Sequence, residues 1–176
     1  MTNARLEVKS DEKTSINAFL GSLLAQRLVD AILVPQEVSS NLSAFQTLVT
    51  DSAKLSNANP LAPVMPVNSA LAVSSLTMLT PSRRKIAVVL RSCEMRALTE
   101  LVKLKQASLE NIITIGIDCF GTYSVEDYKN MALQKEKPAE RVLSKAKHGI
   151  EDEKLRSACR YCEYPAPLNT DIIIGM

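Results

Sequence analysis

Two nearly continuous apolar runs, separated by an amphipathic stretch, form the clearest pattern along the chain. Residues 85–90 (KIAVVL) and 111–117 (NIITIGI) have the length and apolar character of parallel strands that are buried on both faces. Between them, apolar positions within 94–106 recur at the spacing of a helix with one buried face. A strand, a helix and a strand in this order predict a βαβ unit.

The rest of the chain predicts further helices and short strands around this unit. In chain order they are a helix from Thr14 or Ser15 to about 28, a strand over 31–34 ended by Pro35, a helix over 43–55, an extended proline-rich loop over 59–67, a helix over 69–79, a polar helical stretch over 124–158 and a last strand over 171–175. The predicted fold is therefore α/β, with a small, mostly parallel sheet that has a βαβ core and is flanked by helices. We expect a single domain over 1–176 with a loose N-terminus at 1–13.

Composition restricts the classes of function more than it suggests one. The 176 residues are 46% hydrophobic and 23% charged, which is typical of one globular domain. The formal net charge of +2 gives no reason to expect nucleic-acid binding. A single histidine, His148, excludes a metal site with several histidines, and the glycine-rich dinucleotide and P-loop signatures are absent.

Targeting and membrane signals are also missing from the sequence. No apolar run approaches the ~18 residues of a membrane-spanning helix, and the charged first twelve residues do not resemble a signal peptide. We therefore expect a cytoplasmic protein without membrane insertion. Disulfides are rare in that compartment, so clustered cysteines there favour metal binding or redox chemistry.

Two of the four cysteines directly follow the two predicted strands of the βαβ unit. Cys93 follows the first strand and Cys119 the second. If those strands are neighbours, both thiols emerge at the same carboxyl edge of the sheet, where open α/β folds place their ligands. Because Cys93 also lies at the start of the predicted helix, we expect its thiol pKa to be lowered.

The other two cysteines, Cys159 and Cys162, form a C-x-x-C pair. With Cys93 and Cys119 they supply four thiolates, the number that a [4Fe-4S] cluster or an all-thiolate zinc site needs. Structural zinc sites more often use two C-x-x-C pairs, so two isolated ligands favour a cluster in a cleft. Two alternatives stay open: a zinc-stabilised, non-catalytic interaction domain that uses the same thiols, and a thiol–disulfide protein that uses Cys159 and Cys162 alone.

Several side chains near the cysteines have two interpretations. Arg91 either faces an anionic cofactor or tunes a cluster, or it forms a salt bridge with Glu94 or Asp118. Four of the seven Phe and Tyr residues lie within four positions of a cysteine and either line a cofactor or pack the core: Phe120, Tyr123, Tyr161 and Tyr164.

Five stretches of the sequence together resemble one known family, the beta subunits of coenzyme F420 (deazaflavin) hydrogenases and formate dehydrogenases. They are 59–67 (NPLAPVMPV), 85–106 (KIAVVLRSCEMRALTELVKLKQ), 115–123 (IGIDCFGTY), 159–165 (CRYCEYP) and 170–175 (TDIIIG). They occur in the family's order and cover most of 59–175. Family members usually continue past 171–174, so we expect this chain to represent the N-terminal portion of the family pattern, shortened after 175.

The resemblance implies a redox function with defined cofactors. It implies that Cys93, Cys119, Cys159 and Cys162 ligate one [4Fe-4S] cluster, with FAD beside it and coenzyme F420 as a hydride-exchanging substrate. It also implies partners, namely other subunits of a hydrogenase, formate dehydrogenase or heterodisulfide-reductase-like complex. Candidates for contacts to the flavin or for support of the ligands are Arg91, Ser92, Gly121, Thr122 and Tyr123.

Overall fold

A computed structural model describes residues 11–38 and 43–176, together with Ala4 and Val8. The predicted loose N-terminus at 1–13 lies largely outside these residues. The strands are β1 (Ala31–Val38), β2 (Ser43–Val49), β3 (Ile86–Leu90), β4 (Ile112–Ile117) and β5 (Ile172–Ile174). The helices are α1 (Glu12–Ala25), a 3-10 helix (Ser52–Asn57), α2 (Ser69–Thr77), α3 (Ser92–Lys103), α4 (Val125–Leu133), α5 (Pro138–Lys147) and α6 (Ser157–Arg160). Within the described ranges, none of the helices combines the length and apolarity needed to cross a membrane.

The five strands form one sheet in the order β2-β1-β3-β4-β5. The pairs β1–β3, β3–β4 and β4–β5 are parallel, and only β1–β2 is antiparallel. The strands β3 and β4 are direct neighbours and α3 joins them, so the predicted βαβ unit and the mostly parallel sheet are confirmed.

Helices cover both faces of the sheet because alternate residues of its central strands point in opposite directions. On one face, Ile16 and Leu20 of α1 pack with Ala87 and Val89 of β3. On the other face, α2 and α3 pack over Ile86, Val88 and Leu90 of β3. Both faces of β3 are therefore buried, as its unbroken apolar run predicts.

A third apolar cluster lies beyond the carboxyl edge of the sheet. It joins the proline-rich loop to α4 and α5 around the fully buried ring of Tyr123. Its buried members are Ala44, Ala62, Val64, Tyr123, Tyr128, Met131 and Val142. This cluster fixes the loop that follows β4, which carries Cys119.

Three predictions of local structure are wrong. The predicted helix over 43–55 is the strand β2 followed by the 3-10 helix, because β2 pairs with β1, a contact that helical propensity does not report. The strand β1 continues past Pro35 to Val38. Its pairing with β3 ends at Leu33, so beyond that residue one edge of β1 is unpaired and a proline is tolerated. Helix α1 begins at Glu12 rather than at the predicted Thr14 or Ser15, because Asp11 caps it: the Asp11 carboxylate accepts the Thr14 amide at 2.7 Å.

The last strand is anchored to β4 by a reciprocal pair of side chains. Asp171 Oδ2 accepts both the backbone N–H and the hydroxyl of Thr114 at 2.7 Å, and the Asp171 amide donates back to Thr114 Oγ1 at 2.9 Å. The segment before β5 crosses directly over Gly116, where a Cβ would lie 2.5 Å from Pro167 Cγ. Glycine at this position therefore allows the segment that follows the C-x-x-C pair to lie against the sheet.

Candidate metal centre

The sheet brings Cys93 and Cys119 to one edge, as predicted. Cys93 lies in the first turn of α3, three residues after β3 ends, and Cys119 lies two residues after β4 ends. Because β3 and β4 run side by side in parallel register, with Leu90 opposite Gly116, both cysteines leave the sheet at its carboxyl edge. Cys93 is exposed and Cys119 is half-buried.

Hydrogen bonds attach the C-x-x-C segment to the loop after β4. The Cys119 amide donates to the carbonyl of Pro165 at 3.1 Å. The Cys159 sulfur lies 3.2 Å from Thr122 Oγ1, and the Cys162 amide donates to the carbonyl of Cys159 at 3.3 Å. The C-x-x-C segment is thus held beside the loop that bears Cys119, although Cys159 lies in α6, a single helical turn, and Cys162 lies just after it.

Burial and neighbouring charges raise the thiol pKa of Cys93 and Cys119. Partial burial raises the pKa of Cys93, and Glu94, Cys119 and Cys159 raise it further through their negative charges. Burial also raises the pKa of Cys119, although Arg91 acts in the opposite direction. The expected lowering of the Cys93 pKa is therefore wrong, because burial and the negative charge of Glu94 raise it.

Arg91 forms a buried ion pair with Glu94, which is one of the two interpretations that the sequence allows. Arg91 Nη1 lies 3.8 Å from Glu94 Oε2, which also accepts the Arg91 amide at 2.9 Å. Glu94 Oε1 accepts the amide and the hydroxyl of Ser69 at 2.9 and 2.5 Å. Arg91 Nη2 donates to the carbonyls of Ala62 and Val64, at 2.5 and 3.4 Å. The pair therefore connects the turn that bears Cys93 to α2 and the proline-rich loop.

Most residues predicted to contact a flavin lie beneath the surface. Arg91, Ser92, Thr122 and Tyr123 are buried, and Gly121 is half-buried. Gly121 has a φ of +100°, and a Cβ there would lie 2.8 Å from Leu155 Cδ1, so the loop packs tightly on the segment before α6. Direct contact between a flavin and the fully buried Tyr123 ring would require this loop to move.

The four aromatic residues near the cysteines divide between the two interpretations. Tyr123 and Phe120 belong to the third apolar cluster, which is core packing. Tyr161 and Tyr164 are exposed beside the C-x-x-C pair, and the guanidinium of Arg96 lies 5.9 Å from the centre of the Tyr164 ring. The exposed pair remains available to line a cofactor or a partner.

Beneath the C-x-x-C segment, the buried carboxylate of Asp152 interacts with three side chains. Asp152 Oδ2 accepts the Tyr123 hydroxyl at 2.8 Å and Arg141 Nε at 2.9 Å, and Lys145 Nζ lies 3.2 Å from Oδ1. Burial acts to raise the pKa of Asp152, but hydrogen bonds from Arg141 and Tyr123 outweigh it and hold the pKa well below its ordinary range. This network connects α5 to the loop after β4.

Comparison with known proteins decides the family. Residues 83–176, just over half of the chain, match the family described as the C terminus of the beta subunit of coenzyme F420 hydrogenase/dehydrogenase. The chain belongs to this family. The matched region contains all four cysteines, while the resembling stretch at 59–67 lies outside it.

Two relatives of this beta-subunit family member are F420-dependent formate dehydrogenase subunits. The beta subunit from Methanocaldococcus jannaschii is 29% identical over 110 residues, 62% of this chain and 28% of the relative. The formate dehydrogenase 1 beta subunit from Methanococcus maripaludis is 33% identical over 111 residues, 61% of this chain and 27% of the relative. The chain therefore matches just over a quarter of the length of each relative.

A solved structure shares the fold of this family member. A chain of the xenon-derivatised F420-reducing [NiFe] hydrogenase complex from Methanosarcina barkeri superposes with a TM-score of 0.52 at 14% identity. The superposition covers 66% of the present chain and 41% of that chain. The similarity supports the mixed α/β architecture with its mostly parallel sheet.

Sequence reasoning misses three supporting residues in this beta-subunit family member. The sequence suggests Glu94 only as a partner for Arg91, whereas its carboxylate also caps α3 and binds Ser69. Asp152 lies in a polar stretch whose pattern gives no sign of burial. Arg156 stands in the sequence only as a flank of the C-x-x-C pair, although its guanidinium binds Thr122. A charged residue next to a cysteine motif is the available signal for Arg156.

The lowered pKa of Asp152 predicts a specific acid sensitivity. Because the carboxylate is ionised more readily in the folded than in the unfolded chain, its contribution is complete above the unfolded pKa of about 4 and is lost as the pH falls below it. We expect Asp152→Asn to lower the free energy of unfolding of the metal-free protein by about 2 kcal/mol at pH 7. That difference should shrink by about 1 kcal/mol per pH unit below about pH 4.

Urea unfolding at pH 7, 4 and 3 measures this difference. Glu153→Gln, at the exposed position next to Asp152, controls for the loss of one negative charge. A difference between wild type and Asp152→Asn that stays constant over the three pH values contradicts the role of the network.

Proposed function

We propose that this chain is an iron–sulfur electron-transfer subunit or module of an F420-dependent hydrogenase or formate dehydrogenase-like oxidoreductase. Cys93, Cys119, Cys159 and Cys162 are the four ligands of one [4Fe-4S] cluster in this proposal. The observation that supports it is that Cys93 and Cys119 leave the sheet at one edge while the Cys159 sulfur contacts Thr122 in the loop after β4, all within the region that matches the family. When bound, such a cluster accepts and releases single electrons.

The donor set fits a four-iron cluster better than a single zinc ion. Thiolates bind zinc at about 2.3 Å, so four of them must crowd around one point. Cys93 and Cys119 stand alone in the sequence, and only Cys159 and Cys162 form a C-x-x-C pair of the kind that structural zinc sites often use twice. A [4Fe-4S] cluster separates its ligand sulfurs more widely, because four irons lie between them.

The apolar core also argues against structural zinc. Metal-stabilised domains depend on the ion for folding because they bury too little apolar surface. Here none of the three buried apolar clusters includes a cysteine. The buried apolar clusters therefore stabilise the fold without a metal ion, which leaves the four thiols available for electron transfer.

The chain's own residues set the exposure and rigidity of this site. The strands β3 and β4 fix Cys93 and Cys119, and the ion pair of Arg91 with Glu94 holds the turn between β3 and α3. Cys93 and Cys162 are exposed, so one side of the site is accessible to an electron donor or acceptor.

The electron donor and acceptor also belong to the proposal. FAD beside the cluster follows from the family resemblance, and coenzyme F420 as substrate is supported by the names of the relatives, which are F420-dependent formate dehydrogenase subunits. Exposed Tyr161 and Tyr164 offer planar surfaces next to the cysteines for such a cofactor. Other subunits of a cytoplasmic redox complex would be the partners.

Metal and flavin analysis of anaerobically reconstituted protein tests this function. We expect a brown protein with about four irons and four sulfides per chain, whose visible absorption bleaches on addition of dithionite. FAD added to the reconstituted chain measures flavin binding separately. A colourless protein that holds one zinc ion per chain would instead support the zinc-stabilised interaction domain.

A further inference from the structure

A threonine hydroxyl lies between an arginine and one of the four cysteines. Thr122 Oγ1 is 3.2 Å from Cys159 Sγ and 2.9 Å from Arg156 Nε. Arg156 Nη2 also donates to the same oxygen. The guanidinium therefore makes two hydrogen bonds to a single hydroxyl oxygen.

The chemistry of these three groups determines which way the hydroxyl proton points. A guanidinium has only donors and keeps its charge at any relevant pH. A hydroxyl oxygen has two acceptor lone pairs and one proton. Because Arg156 occupies both lone pairs, the proton of Thr122 is left to point at the Cys159 sulfur. The positive charge of Arg156 polarises the hydroxyl and strengthens that donation.

Backbone contacts hold this arrangement in place. The Arg156 amide donates to the carbonyl of Thr122 at 3.0 Å, and the Cys159 amide donates to the carbonyl of Arg156 at 2.8 Å. Thr122 is only 2% exposed, so water does not compete strongly for its hydroxyl. The contact between Gly121 and Leu155 packs the two segments together immediately beside it.

We propose that Thr122, oriented by Arg156, donates a hydrogen bond to the Cys159 sulfur and thereby raises the reduction potential of the metal centre. The inference rests on the proposed function and assigns Thr122 and Arg156 as positioning residues for that centre. Gain of one electron increases the negative charge on the ligand sulfurs, and a donor directed at sulfur stabilises the reduced state more than the oxidised state.

A redox titration of the reconstituted protein, followed by electron paramagnetic resonance, tests this assignment. Thr122→Val removes the hydroxyl but keeps the shape of the side chain, and we expect its midpoint potential to become more negative. The ratio of reduced to oxidised centres at a fixed potential should fall by up to about tenfold, equivalent to ~59 mV for one electron. Thr122→Ser retains the hydroxyl and should keep a potential close to that of wild type.

A matched control separates tuning from a loss of stability. Thr77→Val also removes a buried threonine hydroxyl, but that hydroxyl donates to the Val73 carbonyl within α2 and accepts the Ser108 amide from the loop between α3 and β4. We expect Thr77→Val to lower stability without moving the potential. If Thr122→Val and Thr77→Val both keep the wild-type potential, the inference is overturned.

A second measurement needs no metal and therefore distinguishes failure of this inference from failure of the proposed function. In the metal-free chain, NMR should detect a slowly exchanging Thr122 hydroxyl proton whose chemical shift changes in Cys159→Ala. The inference is overturned, whether or not a cluster forms, if the Thr122 hydroxyl proton exchanges rapidly with water or if its chemical shift is the same in Cys159→Ala as in wild type. Absence of iron from reconstituted wild-type protein would instead count against the proposed function.

Discussion

If the chain holds the proposed [4Fe-4S] cluster, replacing Cys159 by alanine is expected to remove at least half of the roughly four irons per chain. The substitution deletes one of the four proposed thiolate ligands, and the sequence has no fifth cysteine to take its place. It also removes the acceptor of the Thr122 hydroxyl. Iron and sulfide analysis after anaerobic reconstitution, together with the visible spectrum, measures the loss.

The same variant should leave the metal-free fold intact. Cys159 is not a member of any buried apolar cluster, so circular dichroism of the metal-free chain should match wild type. The free energy of unfolding in urea should fall by only about 1 kcal/mol, because the Thr122 hydroxyl loses its acceptor. Ser157→Ala, at an exposed position of the same short helix, is the matched control and should bind iron as wild type does. Unchanged iron content in Cys159→Ala would show that this cysteine is not a ligand.

Replacing Glu94 by alanine should lower the free energy of unfolding by about 3–5 kcal/mol. Glu94 is 1% exposed, and its removal leaves the charge of Arg91, itself 5% exposed, without its buried partner. The amide and the hydroxyl of Ser69 lose their acceptor at the same time. Urea unfolding of the metal-free protein at neutral pH measures the change.

Two further variants test whether the unpaired charge of Arg91 causes the loss of stability in Glu94→Ala. Glu100→Ala removes an exposed carboxylate of the same helix, which pairs with Lys103, and should cost less than about 1 kcal/mol. Replacing both members of the buried pair, with Arg91→Met and Glu94→Leu, should recover part of the lost stability because no unpaired charge remains. A Glu94→Ala variant as stable as Glu100→Ala would show that the buried pair contributes little.

The sequence predicts the features that depend on local pattern. The apolar runs of β3 and β4 specify the parallel pair, and the positions of Cys93 and Cys119 after those runs place both thiols at one edge. The start of α3 is predicted within two residues. These features are readable because a strand buried on both faces requires an apolar residue at almost every position.

The features that the sequence does not predict depend on contacts between distant residues. The strand β2 exists because it pairs with β1, and its own residues are compatible with a helix. The raised pKa of Cys93 arises from burial and from neighbours that only the fold assembles. The contact from Thr122 to Cys159 joins positions 37 residues apart, beyond the reach of any local pattern.

The absence of cysteines from the three buried apolar clusters determines how the fold would respond to loss of a metal centre. The cluster of the proposed function would be accessible to oxygen, because Cys93 and Cys162 are exposed. A chain whose folding depended on its metal would unfold at each such loss and become a substrate for proteases. This chain would stay folded without its metal, with Cys93 and Cys119 still at the edge of the sheet. A damaged centre could then be reassembled on the same polypeptide, without synthesis of a new chain.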